Sequence, residues 1–301
     1  MKIEIPSVYP VTSHTDYVGR GSIFVAITGM QKDGGEYILT ALEKGASVIV
    51  IQENRTLDDK LLQKIKEHKA TLKYVANTRH ALSKLSAEAL GNPAKKLKIV
   101  GVTGTKGKTS TCFMIYKFLM QAEKKVALLS TVEKRIGTDL IDLALTTPLP
   151  DHLHMFLKLC VDRGVECVVM EVSAQSLSLH RLDDITFDAA VFTNFALEHL
   201  EFYDNLDEYF KAKTLLIQKV KSMSNVFMNI DDQYGKQLAE RHPEMSTYSL
   251  QNKSATLYGK PVFKNQFLEL SVFLDESYYT FSSHLMGEFN AYNMLSAISI
   301  V

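Results

Sequence analysis

A glycine-rich segment from Gly101 to Ser110 carries the clearest chemical signal in this sequence. It reads GVTGTKGKTS, follows the apolar run LKIV and precedes TCFMIYKFLMQA, whose apolar spacing is that of a helix. Glycines let backbone N–H groups turn toward an anion, and the first turn of a helix adds partial positive charge. Lys108 would lie along the β- and γ-phosphates of ATP, and Thr109 would offer its hydroxyl to Mg²⁺. The segment therefore predicts a loop that binds a triphosphate.

The glycine spacing of this loop differs from the common P-loop pattern. Val102 stands five residues before Gly107, and the nearby glycines are Gly101 and Gly104. The alternative is a tight strand-to-helix turn in which the Lys-Thr pair is incidental. The preceding strand and the following helix favour the phosphate loop.

A carboxylate and an imidazole follow two other apolar runs. Glu171 ends the run ECVVME, and His199 comes shortly after AAVFTN. Because ligands of parallel sheets bind at the carboxyl ends of the strands, both side chains are candidates for the same site. Glu171 would hold Mg²⁺ together with Thr109. His199 is either a hydrogen-bonded structural residue or a metal ligand.

Lys213 falls inside an apolar stripe. A helical spacing over 206–220 places Lys213 between apolar residues and points Lys211 elsewhere. The stripe consists of Leu206, Tyr209, Phe210, Leu216, Ile217 and Val220. A bare ammonium is costly to bury, so one interpretation is that Lys213 extends its amine to water. The other is a functional amine whose pKa is lowered or which is chemically modified. The spacing leaves both interpretations open.

The elements that must position these residues indicate an α/β fold. Up to about residue 96, β-rich runs alternate with helical patterns, in the order SIFVAI, EYILTALEKGA, SVIVIQE and TLKYVA. From Leu97 the runs LKIVGV, KVALLS, ECVVMEV and AAVFTN are apolar at nearly every position, as in a mostly parallel sheet buried on both faces. We predict a small N-terminal α/β domain over 1–96 and a mostly parallel, P-loop-type ATP-binding domain over 97–301. The polar stretch GNPAKK at 91–96 marks the junction.

Composition narrows the function classes. The 301 residues include 34 Lys plus Arg and 34 Asp plus Glu, so the overall charge gives no reason to expect a nucleic acid or membrane partner. The cysteines at 112, 160 and 167 show no metal-binding or disulfide pattern. No apolar run approaches a membrane span, and the N-terminus lacks the apolar stretch of a signal peptide. We therefore expect a soluble cytoplasmic protein.

Taken together, these motifs resemble the Mur ligase family, most closely its UDP-N-acetylmuramyl-tripeptide synthetases. GVTGTKGKTST is similar to the ATP loop of that family, with Lys106 where Asn is usual. Further segments follow in the family's order: TTP at 146–148, MEVSAQSLSLHR at 170–181, VFTNFALEHLEF at 191–202, YFKAK at 209–213, NIDD at 229–232 and LMGEFNAYN at 285–293. RGSIFVAITGMQKDGGEYILTALEKGASVIV near the N-terminus is similar too, so the resemblance covers nearly the whole chain.

The resemblance implies an ATP-dependent amide ligase of peptidoglycan synthesis. Such an enzyme phosphorylates the terminal carboxylate of UDP-N-acetylmuramoyl-L-alanyl-D-glutamate, and the amine of diaminopimelate or lysine then attacks the acyl phosphate. Thr109 and Glu171 would hold one Mg²⁺, and His199 with Lys213 would help hold a second. The lysine that matches Lys213 is carbamylated in the family, which makes it an anion. The implied catalytic residues are Lys108, Glu171, His199 and Lys213.

The resemblance also implies which residues bind the two nucleotides. The ATP-binding set is Gly104, Thr105, Gly107, Lys108, Thr109, Ser110, Asn290 and Asn293, with both asparagines reaching the adenine. The UDP-sugar set is Thr15, Thr146, Thr147, Ser173 and Arg181. Thr15 falls where the family has the serine of a DSR motif that contacts uracil, whereas the motif reads HTD here. Leu179 and Glu198 are two further departures from the family pattern.

The family has a third domain that selects the amino acid, and the sequence stops at Val301 where the central domain would be finishing. We expect a monomer that binds ATP and the UDP-sugar without completing efficient ligation. Two other functions stay open. The changed motif at 14–16 fits a non-catalytic accessory protein that binds ATP and the UDP-sugar. A ligase of the folylpolyglutamate or cyanophycin synthetase type would use the same chemistry on another substrate, although the segment GSIFVAITG favours a UDP-sugar.

Overall fold

A computed structural model describes residues 2–29, 33–196, 202–274 and 277–301 of the chain. Its strands form two sheets. The first is a four-stranded, all-parallel sheet in the order β2 (Val11–Thr12), β3 (Ile23–Val25), β4 (Val48–Gln52) and β5 (Thr71–Val75). Helices α1 (Ile38–Glu43), α2 (Asp59–Glu67) and α3 (Thr78–Ala89) accompany it. The predicted runs SIFVAI, EYILTALEKGA, SVIVIQE and TLKYVA contain β3, α1, β4 and β5, whereas β2 and α2 lie outside them.

The second sheet has a parallel centre that carries the predicted loop. Its central strands are, in spatial order, β7 (Val126–Leu129), β10 (Cys167–Glu171), β6 (Lys98–Thr103), β11 (Ala189–Phe192), β12 (Val226–Asn229) and β13 (Ser246–Ser249). Each of these strands pairs in parallel with the next. The predicted α/β fold with a mostly parallel sheet is therefore confirmed.

Antiparallel strands extend the second sheet at both edges. On one side lie β8 (Lys134–Ile136) and β9 (Asp139–Ile141), and β1 (Lys2–Ile3) pairs in parallel with β9. On the other side lie β14 (Leu257–Lys264), β15 (Phe267–Leu274) and β16 (Ser277–Ser283). The helices of this part are α4 (Lys108–Gln121), α5 (Pro150–Asp162), α6 (Ala174–Ser178), α7 (Leu206–Thr214), α8 (Gln233–Arg241) and α9 (Glu288–Ile298).

The central strands are buried on both faces because their side chains alternate between two cores. Ile99 of β6 belongs to the core that contains residues of α5, whereas Val100 and Val102 belong to the core that contains residues of α4 and α9. In β10, Val168 and Val169 divide between the same two cores. Runs that are apolar at every position are the expected result of this two-sided burial.

A buried carboxylate connects the two sheets. Asp151, in the first turn of α5, is 1% exposed. Its Oδ2 accepts hydrogen bonds from Thr12 Oγ1 at 2.9 Å and from the backbone N of Ser13 at 3.0 Å. The neighbouring His152 ring contacts Tyr9, with 3.0 Å between Nδ1 and the phenol oxygen. The end of β2 is therefore fixed to the helix that covers the second sheet.

One predicted element is shorter than the spacing indicates. The helix expected over 206–220 ends at Thr214 and is followed by a 3-10 turn, Ile217–Lys219. The prediction of one continuous helix was therefore wrong beyond Thr214, although Leu216 and Ile217 are still buried. The turn keeps these apolar side chains on the core, which is why their pattern imitates a longer helix. In the described part of the chain, no helix combines the length and apolar character needed to cross a membrane.

We predict that His154 makes the fold sensitive to mild acid. His154 lies on α5 with no exposed surface, and burial lowers the pKa of its imidazole from 6.5 to about 4. Between these values the unfolded chain binds a proton that the folded chain does not, so stability is complete above pH 6.5 and falls as the pH drops toward 4. The expected loss is up to roughly 3 kcal/mol. Urea unfolding at a series of pH values measures it.

The variant His154→Leu tests this assignment. Neither ring nitrogen of His154 has a hydrogen-bond partner among the described residues, so an apolar replacement breaks no bond seen there. The variant should lose most of the decline in stability between pH 6.5 and 4. Replacing His242, whose side chain is 42% exposed, by Ala should leave the decline as in the parent protein. An unchanged pH profile in His154→Leu would contradict the prediction.

Candidate active site

The glycine-rich loop runs between β6 and α4 and depends on two glycines. Gly104 and Gly107 have φ angles of +139° and +84°, which side chains disfavour. A Cβ on Gly104 would lie 2.0 Å from Thr193 Oγ1, and one on Gly107 would lie 2.3 Å from Asn293 Oδ1. The backbone therefore approaches its neighbours more closely than any other residue type allows.

Polar residues after β11 hold the loop from the other side. Thr193 Oγ1 donates to the carbonyl of Lys106 at 2.7 Å, and Asn194 Nδ2 donates to the same oxygen at 3.0 Å. Asn194 Oδ1 accepts from the backbone N of Lys106 at 2.9 Å. Thr105 is 4% exposed and exchanges hydrogen bonds with the backbone of Ala196. The predicted nucleotide residue Thr105 is thus placed where it fixes the loop.

Two lysines meet at the carbonyl oxygen of Gly104. Lys108, the first residue of α4, donates from Nζ to this oxygen at 2.9 Å and to the carbonyl of Thr105 at 2.8 Å. Lys213 of α7 donates from Nζ to the same Gly104 oxygen at 2.8 Å. Lys213 is 1% exposed and its Nζ lies 4.4 Å from the centre of the Tyr209 ring. Its amine does not extend to water. The interpretation of Lys213 as a lysine that reaches solvent from the apolar stripe was therefore wrong.

Glu171 is buried at the end of β10 and is oriented by Thr131. Its Oε1 accepts from the backbone N of Thr131 at 2.8 Å, and its Oε2 accepts from Thr131 Oγ1 at 3.1 Å. Thr131 Oγ1 also lies 3.0 Å from Thr146 Oγ1. Glu171 is 1% exposed, so the hydrogen bonds that satisfy it also fix its direction. Thr131 follows β7, and the rule that ligand residues follow parallel strands would have found it.

The predicted UDP-sugar residues are joined by hydrogen bonds. Thr147 Oγ1 donates to the carbonyl of Glu171 at 2.9 Å, and the backbone N of Ser173 donates to Thr147 Oγ1 at 3.4 Å. Arg181 donates from Nη1 to the carbonyl of Thr147 at 2.8 Å. Arg181 is 9% exposed, its Nε has no partner among the described residues, and burial lowers the pKa of its guanidinium. A buried donor of this kind is typical of an anion-binding position.

Two cavities lie on opposite sides of the loop. The loop cavity, of about 510 Å³, is lined by Lys106, Gly107, Thr193, Asn194, Asn229, Asp231, Asp232, Tyr248, Phe289, Tyr292 and Asn293. The central cavity, of about 290 Å³, is lined by Lys108, Thr131, Leu145, Thr146, Thr147, Ser173, Ala174, Gln175, Arg181, Phe202, Tyr203, Tyr209 and Lys213. The loop therefore separates the two cavities, with the Lys108 side chain facing the central one.

A third cavity lies beside the start of the first sheet. This N-terminal cavity, of about 350 Å³, is lined by Ile5, His14, Asp16, Tyr17, Asp142, Leu143, Ala144, Leu145, Leu149 and His152. Leu145 lines both this cavity and the central one. Thr15 itself is not among the lining residues, although both of its neighbours are.

The remaining predicted residues within the described part of the chain do not line the cavities described above. Thr109 and Ser110 lie in the first turn of α4 and are half-buried. Asn290 is 8% exposed and donates from Nδ2 to the carbonyl of Met286 at 2.8 Å, so it stands behind Asn293 rather than in the cavity wall. His199 lies outside the described residues. Sequence reasoning assigned no role to Asp231 and Tyr292, which share a 3.0 Å hydrogen bond in the loop cavity.

Comparisons with known proteins identify relatives of this chain. A family model described as the Mur ligase middle domain matches residues 102–301. A curated relative from Clostridium perfringens, named UDP-N-acetylmuramoyl-L-alanyl-D-glutamate--2,6-diaminopimelate ligase, is 35% identical over 287 residues, which cover 93% of this chain and 57% of the relative. The chain thus spans a little over half the length of that relative.

Solved structures show the same fold. One with the same printed name has a TM-score of 0.81 at 23% identity and covers 97% of this chain and 59% of its own. A Thermotoga maritima MurF ligase in complex with ADP has a TM-score of 0.68 at 20% identity, covering 98% of this chain and 62% of its own. At these identities the likeness is one of fold.

We predict that Gly107→Ala destabilises the protein more than Gly21→Ala does. Both glycines have nearly the same φ, +84° and +89°, so alanine costs about 1–2 kcal/mol at either from backbone strain. Nothing lies within 4 Å of a Cβ on Gly21, whereas one on Gly107 meets Asn293. The displaced Asn293 should add roughly 1 kcal/mol or more. Urea unfolding of both variants compares the losses, and equal losses would show that the contact with Asn293 is unimportant.

Proposed function

We propose, from the fact that this chain belongs to the Mur ligase family, that it contains the ATP-binding and carboxylate-activating parts of an ATP-dependent amide ligase. The observation that carries the proposal is the position of the loop between the loop cavity and the central cavity. A triphosphate bound along the loop would extend toward Lys108 and Lys213, which line the central cavity. A carboxylate held there would be placed to accept its terminal phosphoryl group.

The residues around the loop fit ATP. Backbone positions that only glycine tolerates, at Gly104 and Gly107, suit a loop that follows a phosphate chain. We assign the adenine and ribose to the loop cavity, beside Asn293 and Tyr292. The Thermotoga maritima ligase, which shares the fold, was solved in complex with ADP, and this supports an adenine nucleotide as the ligand.

The donor set fits Mg²⁺. A buried carboxylate and a hydroxyl are oxygen ligands of the type that Mg²⁺ prefers, and Glu171 with Thr109 supplies them. Bound Mg²⁺ would neutralise charge on the phosphates. Thr131 keeps the Glu171 carboxylate in one orientation. Lys108 would stabilise negative charge that develops during phosphoryl transfer, and a carbamylated Lys213 would be an anion that helps hold Mg²⁺. His199 stays a proposed ligand.

We propose that the carboxylate belongs to a UDP-sugar peptide, UDP-N-acetylmuramoyl-L-alanyl-D-glutamate. Thr146, Thr147, Ser173 and Arg181 line the central cavity, and the Arg181 guanidinium suits a diphosphate. The N-terminal cavity, connected through Leu145, would take the uridine near Thr15. Residues 1–96 would then form the UDP-sugar domain, apart from β1, which pairs with the sheet of the ATP domain, 97–301. The name of the Clostridium perfringens relative favours diaminopimelate as the added amino acid.

We predict that this chain forms an acyl phosphate that hydroxylamine traps as a hydroxamate. Trapping should require ATP, Mg²⁺ and the UDP-sugar dipeptide together. Lys108→Ala removes a charged donor to the phosphates and should weaken ATP binding roughly tenfold to hundredfold, with matching loss of hydroxamate. Calorimetry measures the binding and a colorimetric assay the trapped product.

Lys106→Asn, which restores the usual family residue in the same loop, is the matched control and should retain both properties. Binding of both nucleotides without hydroxamate would favour the non-catalytic accessory protein. Hydroxamate from a folate substrate, with none from the UDP-sugar dipeptide, would favour a ligase of the folylpolyglutamate synthetase type. Failure to bind ATP would contradict the proposal altogether.

We also predict that Lys213 is carbamylated. A carbamylated Nζ keeps one N–H, so it can still donate to the Gly104 carbonyl. Protein equilibrated with ¹³C-labelled bicarbonate should show one carbamate carbon resonance that is absent from Lys213→Ala. Lys211→Ala, which changes an exposed lysine of the same helix, should retain it. A resonance unaffected by Lys213→Ala, or no resonance in the parent protein, would show that this lysine is unmodified.

A further inference from the structure

We propose that His80, His180 and Asp183 form a binding site for a transition-metal dication such as Zn²⁺. Asp183 Oδ2 lies 2.8 Å from His80 Nδ1 and 2.7 Å from His180 Nδ1. One possible ligand atom from each of the three residues lies within 4.8 Å of the others. This metal-binding cluster is separate from the central cavity and shares none of its lining residues.

The cluster joins parts of the chain that are distant in sequence. His80 lies in the first turn of α3, where Asn77 caps the helix and accepts from the His80 backbone N at 3.2 Å. His180 follows α6 and has a φ of +58°, a conformation in which histidine is enriched among residues other than glycine. Asp183 is three residues further on, at the end of the same turn. A bound metal would therefore connect a helix of the first sheet to a turn of the second.

The donor atoms select a class of metal. Two imidazole nitrogens and one carboxylate oxygen are a typical set for Zn²⁺ that retains an open position for water. Mg²⁺ and Ca²⁺ prefer oxygen ligands alone, so the Mg²⁺ that accompanies a nucleotide would not compete well. Each imidazole can coordinate a metal through a ring nitrogen that carries no proton. The cluster is therefore suited to a borderline-soft dication.

The geometry requires only a small opening of the cluster. Zn²⁺ bonds of about 2.0–2.2 Å put tetrahedral ligand atoms roughly 3.4 Å apart, so each N···O contact must lengthen by a little over half an ångström. The side chains of His80 and His180 are 56% and 41% exposed, which leaves both rings room to rotate. Asp183, at 18%, is the more restrained partner. The two rings can therefore adjust around a fixed carboxylate.

The charges around Asp183 leave one oxygen for a metal. Both imidazoles contact the same oxygen of Asp183, Oδ2, at 2.8 and 2.7 Å. Lys219 Nζ lies 3.5 Å from the other oxygen, Oδ1. The lysine thus orients the carboxylate from one side while Oδ2 faces the imidazoles. Metal-ligating side chains are commonly oriented by such a second contact from a residue that does not itself touch the metal.

The two arginines next to the cluster donate to other parts of the protein. Arg79 donates from Nη2 to the carbonyl of Thr28 at 3.1 Å. Arg181 donates from Nη1 to the carbonyl of Thr147 at 2.8 Å. Because Arg181 also lines the central cavity, a metal on the adjacent His180 would stiffen the backbone that carries it.

Titration of the full chain with ZnCl₂, followed by calorimetry without nucleotide, tests the proposal. We expect one Zn²⁺ per chain, a higher unfolding temperature with metal, and no corresponding binding of MgCl₂. His80→Ala and His180→Ala should each weaken Zn²⁺ binding about tenfold or more, since even loss of an outer-shell partner has effects of that size. Co²⁺ should give the visible bands of a tetrahedral nitrogen-oxygen site, and His80→Ala should abolish them.

His242→Ala is the matched control. The side chain of His242 is 42% exposed and its Nδ1 lies 3.5 Å from Glu244 Oε1, so it forms a similar pair that has no third ligand among the described residues. This variant should keep the Zn²⁺ affinity of the parent protein. His80 is the decisive position because it is half-exposed, and an unchanged unfolding temperature without metal shows that the variant folds. Equal Zn²⁺ affinity in the parent protein, His80→Ala and His180→Ala would overturn the proposal, as would fewer than one ion bound per chain.

Discussion

The carbonyl oxygen of Gly104 is the point on which the site depends. Lys108 and Lys213 reach it from two different helices, at 2.9 and 2.8 Å. Two ammonium groups around one peptide oxygen would repel each other with little screening, because Lys213 is 1% exposed, and the proposed carbamylation of Lys213 removes this repulsion. The loop is fixed by Thr193 and Asn194 on its other side. Folding therefore places both lysine side chains at the edge of the central cavity before any ligand arrives.

Much of this could be predicted from the sequence because it depends on local patterns. A run buried on both faces, followed by glycines and an amphipathic helix, predicts β6, the loop and α4 without knowledge of distant residues. The position of Glu171 after β10 follows from the same reasoning. Lys213 was identified because a charge interrupts an apolar spacing, a local signal that indicates an unusual environment.

The rest depends on contacts between distant segments. No local pattern shows that Lys213 shares its acceptor with Lys108, or that Thr131 orients Glu171. The end of α7 was missed because a 3-10 turn continues to bury Leu216 and Ile217 with a helix-like spacing. The cluster of His80, His180 and Asp183 combines residues about a hundred positions apart, and each of them is unremarkable in its own segment.

The pairing of β1 with β9 has a consequence for movement. The chain begins in the second sheet at Lys2–Ile3, leaves it to build the first sheet, and returns to it at Lys98. The first sheet is therefore covalently tied to the second at both of its ends, unlike a module suspended from a single linker. A sheet that is connected to its neighbour at both ends can rotate about the line that joins the two connections, whereas rotation about other axes is restrained. The two connections, together with the hydrogen bonds to Asp151, therefore restrict how the two sheets can move relative to each other.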